Sequence, residues 1–412
     1  MSSVPGSLFR KILFWMHLSC GVVAGVLILA MSVTGVAMTY ERQMIAAAAK
    51  RNHVTAPAGQ ARLGIDDLAA RARAAHDGEG QLSLVFEADA EAPVSVTAGR
   101  QTAALLNPWT GESIVDASRD TRSFMSTMRS WHRYLGGDTR GVGGWLIDYS
   151  NLLFVFIIVS GMYLWLPAVW RWRTVRGLVF FQSKYINAKV RDFNWHHVFG
   201  LWMLVPLFLI AVSGAVISFP WASNLVYAAY GEEPPQRGGG GGGGGGERPG
   251  AAAPRDGRGP GAMRNGEGPS GPGAGAGGAE VAAAPEATLQ QFFDATTAQV
   301  TDWQRITLPV MARGDHIDVQ VELKSTERRP PRRTLELSTA DASVMQDSGP
   351  GTAAQTPAQK ARSWFRFVHT GEQYGVIGQT IAGIASLAAC FLVYTGLALA
   401  WRRLIRPLFR RA

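Results

Sequence analysis

Residues 12 to 40 read ILFWMHLSCGVVAGVLILAMSVTGVAMTY, a stretch without a single Asp, Glu, Lys or Arg. A bilayer core of about 30 Å needs roughly 20 apolar residues to cross it as a helix, so this stretch is long enough to span. It also runs well past the roughly 7 to 15 residues of a signal-peptide core, which makes it an uncleaved anchor. Three more stretches pass the same test, at 145–170, 195–221 and 375–401, and Pro206 is expected to kink the third span. Of the 412 residues 47% are hydrophobic and only 17% charged, with 13 Trp. That blend excludes an ordinary soluble domain and fits an integral membrane protein, with apolar spans in the lipid bilayer joined to polar domains.

Charge orients the spans. Arg10 and Lys11 precede the first, Arg171, Arg173, Arg176, Lys184, Lys189 and Arg191 lie between the second and third, and Arg402, Arg403, Arg406, Arg410 and Arg411 follow the fourth. Those thirteen bases face one acid, Asp192, whereas the rest of the chain holds 27 bases and 30 acids. The positive-inside rule therefore places both termini and the short loop in the cytoplasm and sends both long loops across the membrane. The net charge of +9 is thus a topology signal, and no nucleic-acid partner is expected. Cys20 and Cys390 both sit in apolar runs and no Cys-x-x-Cys-His occurs, so neither a disulfide framework nor a covalently attached haem is expected.

The expected organisation is a cytoplasmic N-terminus (1–11), first span (12–40), an exported α+β domain (41–120), an interfacial helix and loop (121–144), second span (145–170), a basic cytoplasmic loop (171–194), third span (195–221), a linker (222–285), a second exported α+β domain (286–350), an interfacial segment (351–374), fourth span (375–401) and a basic tail (402–412). In the first exported domain a helix near Ile65 is followed by strands at 82–86, 94–97 and 103–106. A turn, Asn107-Pro108-Trp109-Thr110-Gly111-Glu112, then leads into Ser113-Ile114-Val115. The order recurs with a helix near Leu289, strands near 304–310, 316–323 and 333–337, and a turn at Ser338 to Ala342. Nine consecutive Gly, 238–246, amid Pro, Ala and Arg mark the linker, which lacks the apolar residues to offset ordering entropy.

The spans repeat too. Laying the first span on the third without gaps places His17 on His196, Gly21 on Gly200, Thr34 on Ser213 and Gly35 on Gly214, while Ser160-Gly161 corresponds to Thr395-Gly396 and His132 to His369. The four Ser/Thr-Gly pairs read as helix-packing devices. Five of the eight His lie at span edges: His17, His132, His196, His197 and His369. Ionisable groups at membrane depth are functional candidates, and neutral imidazole is a common axial ligand of haem iron. His17 lies about 8 Å inside its span at 1.5 Å per residue, with His196 at the equivalent depth. Gly21 and Gly200, one turn further on, leave room for a flat macrocycle. His132 and His369 follow amphipathic stretches at the other surface, the first of them a stripe of Phe124, Met128, Trp131 and Leu135. One such histidine alone reads as an interfacial side chain with a polar edge in water; four at repeat-related positions read as two stacked bis-histidine sites, an electron path across the bilayer. His197 is the alternative to His196, or a partner for a haem propionate or a lipid headgroup.

These motifs resemble the PepSY-associated transmembrane-helix family of iron-regulated membrane proteins and ferric-siderophore reductases of the bacterial inner membrane. The resemblance rests on His17-Leu18-Ser19-Cys20-Gly21, the turn at 107–112, Trp131-His132-Arg133-Tyr134-Leu135, His196-His197-Val198-Phe199-Gly200-Leu201-Trp202 and Val368-His369-Thr370-Gly371-Glu372. It covers nearly the whole chain outside 232–285. It implies four transmembrane helices in two repeats, two PepSY-like periplasmic domains, and two b-type haems on His17, His196, His132 and His369. The activity it implies is transmembrane reduction of a ferric siderophore or another periplasmic oxidant, with electrons from a cytoplasmic reductant or quinol. No residue is assigned to catalysis itself. A non-enzymatic envelope regulator, binding a peptide or protease through its PepSY-type domains, is the rival expectation.

Overall fold

The computed structural model describes residues 5–74, 76, 81–99, 101–137, 141–167, 170–235, 286–312, 314–325, 330–349, 355–407 and 409. The elements run α1 (Pro5–Ala37), α2 (Glu41–Ala49), α3 (Ile65–Ala74), β1 (Leu82–Glu87), β2 (Val94–Ala98), β3 (Gln101–Leu106), β4 (Ser113–Ile114), α4 (Arg119–Tyr134), α5 (Val142–Trp165) and α6 (Trp172–Val179). They continue with α7 (Ala188–Trp202), α8 (Leu204–Ser218), α9 (Pro220–Ala229), α10 (Leu289–Gln299), β5 (Trp303–Pro309), β6 (His316–Leu323), β7 (Arg332–Ser338), β8 (Val344–Asp347), α11 (Pro357–His369) and α12 (Gly375–Leu404). They form two compact units, a helical one and a sheet-based one; the chain passes to the second within α2, between Met44 and Ile45, and returns to the first between Arg119 and Asp120.

In the helical unit α1 packs on α5 and α12, α7 on α12, and α8 on α5, α11 and α12. Small residues allow the close approach, as membrane helices require: a Cβ on Gly383 would lie 2.8 Å from Thr39 Oγ1, and one on Gly25 3.3 Å from Leu397. The outer surface is apolar, with Val23, Val26, Val205 and Ile377 among its exposed side chains, the reverse of a soluble bundle and suited to lipid. Among the described residues three helices are long and apolar enough to cross a membrane, and four if α7 and α8 count as one bent span.

The kink expected at Pro206 in the third span is a break between two helices, and the first of them starts at Ala188, ahead of the expected 195. Helices α7 and α8 meet at 68°. Pro206 has no N–H to give to the Trp202 carbonyl and its ring crowds that carbonyl, so the helix ends at Trp202 and restarts at Leu204. A second correction concerns 222–285. Pro220 opens α9, which continues to Ala229, so the chain is still helical where the linker was expected to begin; from 236 to 285 that expectation lies outside the described residues. The amphipathic stripe of α4 faces outward, as a helix that grazes the membrane requires. Phe124 and Trp131 are exposed, while Met125 is fully buried, and His132 follows Met125 by two turns on the inward face.

Asp192, wholly buried in α7, accepts from Arg191 at 2.9 Å and from Arg402 of α12 at 2.6 Å. Arg402→Ala would leave Asp192 with Arg191 as its remaining countercharge and one oxygen without its charged donor. It is expected to destabilise the helical unit by about 1–3 kcal/mol, read as a lower unfolding midpoint in detergent; an unchanged midpoint would show the contact to be dispensable.

The two expected exported domains are one. A single antiparallel sheet of eight strands runs β4-β3-β2-β1-β5-β6-β7-β8, and its central join pairs Ser83 to Glu87 of β1 with Pro309 to Arg305 of β5. Either half alone would present that row of N–H and C=O groups as an open edge; pairing them removes both edges and fuses two half-cores. Alternation puts Leu82, Leu84 and Phe86 of β1 and Ile317, Val319 and Val321 of β6 on one face, where Leu68 of α3 and Phe292 of α10 join the same core. The halves close on matching turns. Asn107 N donates to Glu112 O and Gly111 N to Asn107 O; Ser338 N donates to Ser343 O and Ala342 N to Ser338 O. Gly111 has φ of 68° and Ala342 has φ of 57°. Ala carries a Cβ into the left-handed region where Gly carries none, so Ala342→Gly is expected to stabilise the sheet unit by about 1 kcal/mol, seen as a raised melting temperature.

Candidate functional site

Each of the four repeat-related histidines rests on a Ser/Thr-Gly pair of a neighbouring helix. His17 Nδ1 lies 2.9 Å from Ser160 Oγ, and a Cβ on Gly161 would meet its Cε1 at 3.2 Å. His196 Nδ1 lies 3.0 Å from Thr395 Oγ1, with Gly396 meeting Cε1 at 3.3 Å. His132 Nδ1 lies 3.0 Å from Thr34 Oγ1, with Gly35 at 3.7 Å, and His369 Nδ1 lies 3.3 Å from Ser213 Oγ, with Gly214 at 3.2 Å. The hydroxyl holds the ring nitrogen and the missing side chain makes room for the ring edge. The seats repeat with the histidines: the ungapped shift that carries His17 onto His196 also carries Thr34 onto Ser213, and Ser160 corresponds to Thr395.

The partners decide the tautomer. His132 Nδ1 is 3.0 Å from Met31 O and His369 Nδ1 is 2.9 Å from Ile210 O. A carbonyl only accepts, so Nδ1 carries the proton. At the other level Ser160 Oγ gives its one hydrogen to Ile157 O at 3.2 Å and Thr395 Oγ1 gives its own to Phe391 O at 2.8 Å. Those hydroxyl oxygens are then acceptors from His17 and His196. All four neutral rings therefore present a bare Nε2 lone pair, the form in which imidazole binds a metal.

His132 and His369 face each other with ring centroids 6.1 Å apart and planes at 64°. Two imidazole–metal bonds of about 2 Å, plus roughly 1 Å from each centroid to its nitrogen, give about 6 Å for rings flanking one metal ion. His17 and His196 are held on α5 and α12 respectively. Thr34, the seat of His132, lies further along the same helix α1 that carries His17. At 1.5 Å per residue the two levels are about 25 Å apart, most of a bilayer core.

His197 occupies no such seat: its Nδ1 bonds Phe193 O one turn back at 2.8 Å and its ring stacks on Phe193. Beside Gly21 nothing lies within 4 Å of an added Cβ, and beside Gly200 only Leu392, at 3.8 Å, so both positions border open space. In the sheet unit His53 stands 3.9 Å from Asp89 and from Glu91. His316 bonds Asp315 at 3.0 Å, and that hydrogen bond raises its pKa above 6.5. It lines a recess of about 250 Å³ with Gln81, Ser83, Thr307 and Asp318 on the sheet's polar face. The Ser/Thr-Gly pairs are what sequence reading assigned to helix packing alone. Their signal was available, since each lies at the repeat offset of another, but nothing in one dimension says which histidine a pair meets.

An apolar helical bundle carrying four seated histidines, joined to a sheet-based unit, defines a membrane protein with a mixed α/β domain. The chain belongs to the family described as the PepSY-associated TM region, whose model matches residues 14–403. No curated protein matches the sequence.

Proposed function

We propose that this protein is a two-haem electron carrier of the bacterial inner membrane, with a b-type haem between His17 and His196 near the cytoplasmic surface and a second between His132 and His369 near the periplasmic one. The histidines recur at the repeat offset of the sequence, and on the positive-inside rule the basic segments put both termini in the cytoplasm. The observation that carries the reading is the set of four imidazoles whose Nδ1 is occupied and whose Nε2 is bare, two of them at the 6.1 Å spacing of rings that flank a metal. When bound, haem supplies reversible one-electron chemistry. The protein fixes ring orientation and, through the Nδ1 hydrogen bonds, makes each imidazole a more basic ligand. Both ligand positions being filled from the protein, the acceptor exchanges electrons with the haem without binding the iron.

Electrons enter from a cytoplasmic reductant or quinol and leave to a periplasmic oxidant, which we take to be ferric iron held by a siderophore. One electron converts Fe(III) to the softer, less charged Fe(II), which hard oxygen ligands hold less firmly, and the metal is released. A peptide- or protease-binding regulator has no use for four seated imidazoles at two levels. Oxidised and dithionite-reduced spectra with a pyridine haemochrome assay on detergent-purified protein test the reading. About two low-spin b haems per chain are expected; absence of a Soret band after expression with ample haem would overturn it.

A further inference from the structure

Trp165 closes α5. Its indole nitrogen is buried, yet no acceptor among the described residues lies within hydrogen-bond distance. Other tryptophans at this end of the bundle are satisfied: Trp195 Nε1 gives to Tyr185 Oη at 3.2 Å and Trp202 Nε1 to Val179 O at 2.9 Å. An indole N–H can only donate, and buried donors in native structures have partners. The place of this one is informative. Trp165 lies one turn beyond Gly161, the seat of His17, so the two share a face of α5, and a long helical side chain lies back over the turn preceding it. The indole thus covers the turn against which the His17 ring rests. Arg10 Nη2 also sits here, giving to Leu164 O at 2.8 Å and Leu166 O at 3.0 Å, the carbonyls on either side of Trp165. A buried N–H on the residue whose flanking carbonyls hold a guanidinium is suited to an anionic oxygen. The shift that carries Ser160-Gly161 onto Thr395-Gly396 carries Trp165 onto Ala400, so the aligned position of the second repeat carries no donor.

Building on the haem reading above, we propose that the Trp165 indole N–H donates to a propionate carboxylate of the haem held by His17 and His196, with Arg10 as its countercharge. The donor offsets carboxylate charge near the iron. Without it the ferric state gains and the potential of that haem falls.

Redox titration of the full-length protein followed in the visible bands separates two waves, and His17→Ala identifies which is the inner one. Trp165→Phe is expected to keep both haems and to shift the inner equilibrium by about tenfold toward the oxidised form, about 59 mV for a one-electron couple, leaving the outer wave in place. Two waves that both stay put, or movement of the outer wave alone, would overturn the assignment to Trp165. A protein with no waves at all fails the haem reading first and takes this proposal with it. Should Trp165→Phe not hold its inner haem, resonance Raman of the wild type decides: a carboxylate-bending band of the inner haem that moves in D2O supports the donor, and deuterium-insensitive bands overturn it.

Discussion

His132→Ala and His369→Ala are each expected to lower haem content from about two per chain to about one, with the remaining haem unchanged in spectrum and potential. His17→Ala and His196→Ala are expected to do the same to the other haem. On the two-haem reading each ring would be one of two protein ligands to its haem, and each is seated on a different helix. Removing one ring would leave the haem held by a single imidazole, too weakly to be retained through purification. The independence of the two levels follows from their separation of about 25 Å along α1. His197→Ala is the internal comparison, because that ring bonds its own helix at Phe193 and meets no Ser/Thr-Gly pair. Haemochrome quantitation and reduced-minus-oxidised spectra of the five variants check this. Unchanged haem in the four seated-histidine variants, or loss confined to His197→Ala, would sink the assignment.

Gly161→Val and Gly396→Val are expected to reproduce the loss of the inner haem with every histidine still in the chain. A Cβ at Gly161 already approaches His17 Cε1 to 3.2 Å, and one at Gly396 approaches His196 Cε1 to 3.3 Å, tighter than ordinary van der Waals contact. Val adds two further carbons with little rotameric freedom in a helix. Overpacking of this kind costs about 1–3 kcal/mol unless something moves, and the ring, held by one hydrogen bond, moves before the backbone does. Displacing it takes Nε2 off line, and misplacing a ligand's support typically costs about 10- to 100-fold in metal affinity. The Ala variants, which add the Cβ alone, are expected to fall between Gly and Val. Haem titration into apoprotein would show the series, and Val variants that bind the inner haem as wild type does would refute the seat.

The halves of the sheet unit give a different lesson. Helices near 65 and 289, the strand at 316–323 and the turn at 107–112 were legible one by one from alternation and turn chemistry. What was not legible is that β1 finds β5, far along the chain, and turns two expected domains into one sheet. Backbone pairing carries no side-chain signature, so two half-sheets with open edges and one complete sheet have the same hydrophobic pattern. The stripe of Phe124 and Trp131, by contrast, was legible as one that grazes the membrane; that Met125 is buried on the face that carries His132 was not.

By itself the sequence determined the apolar spans, the charge asymmetry along the chain, the repeat offset and the histidines worth suspecting, because each depends on composition or periodicity along one chain. Only the tertiary structure decided how far α7 and α8 bend, that Asp192 meets Arg402 as well as Arg191, and that every repeat-related histidine is matched to a hydroxyl and a missing side chain on another helix. Those matches are contacts between residues 98 to 199 positions apart. Which lone pair an imidazole leaves free is set by such contacts, not by the residues beside it in the chain.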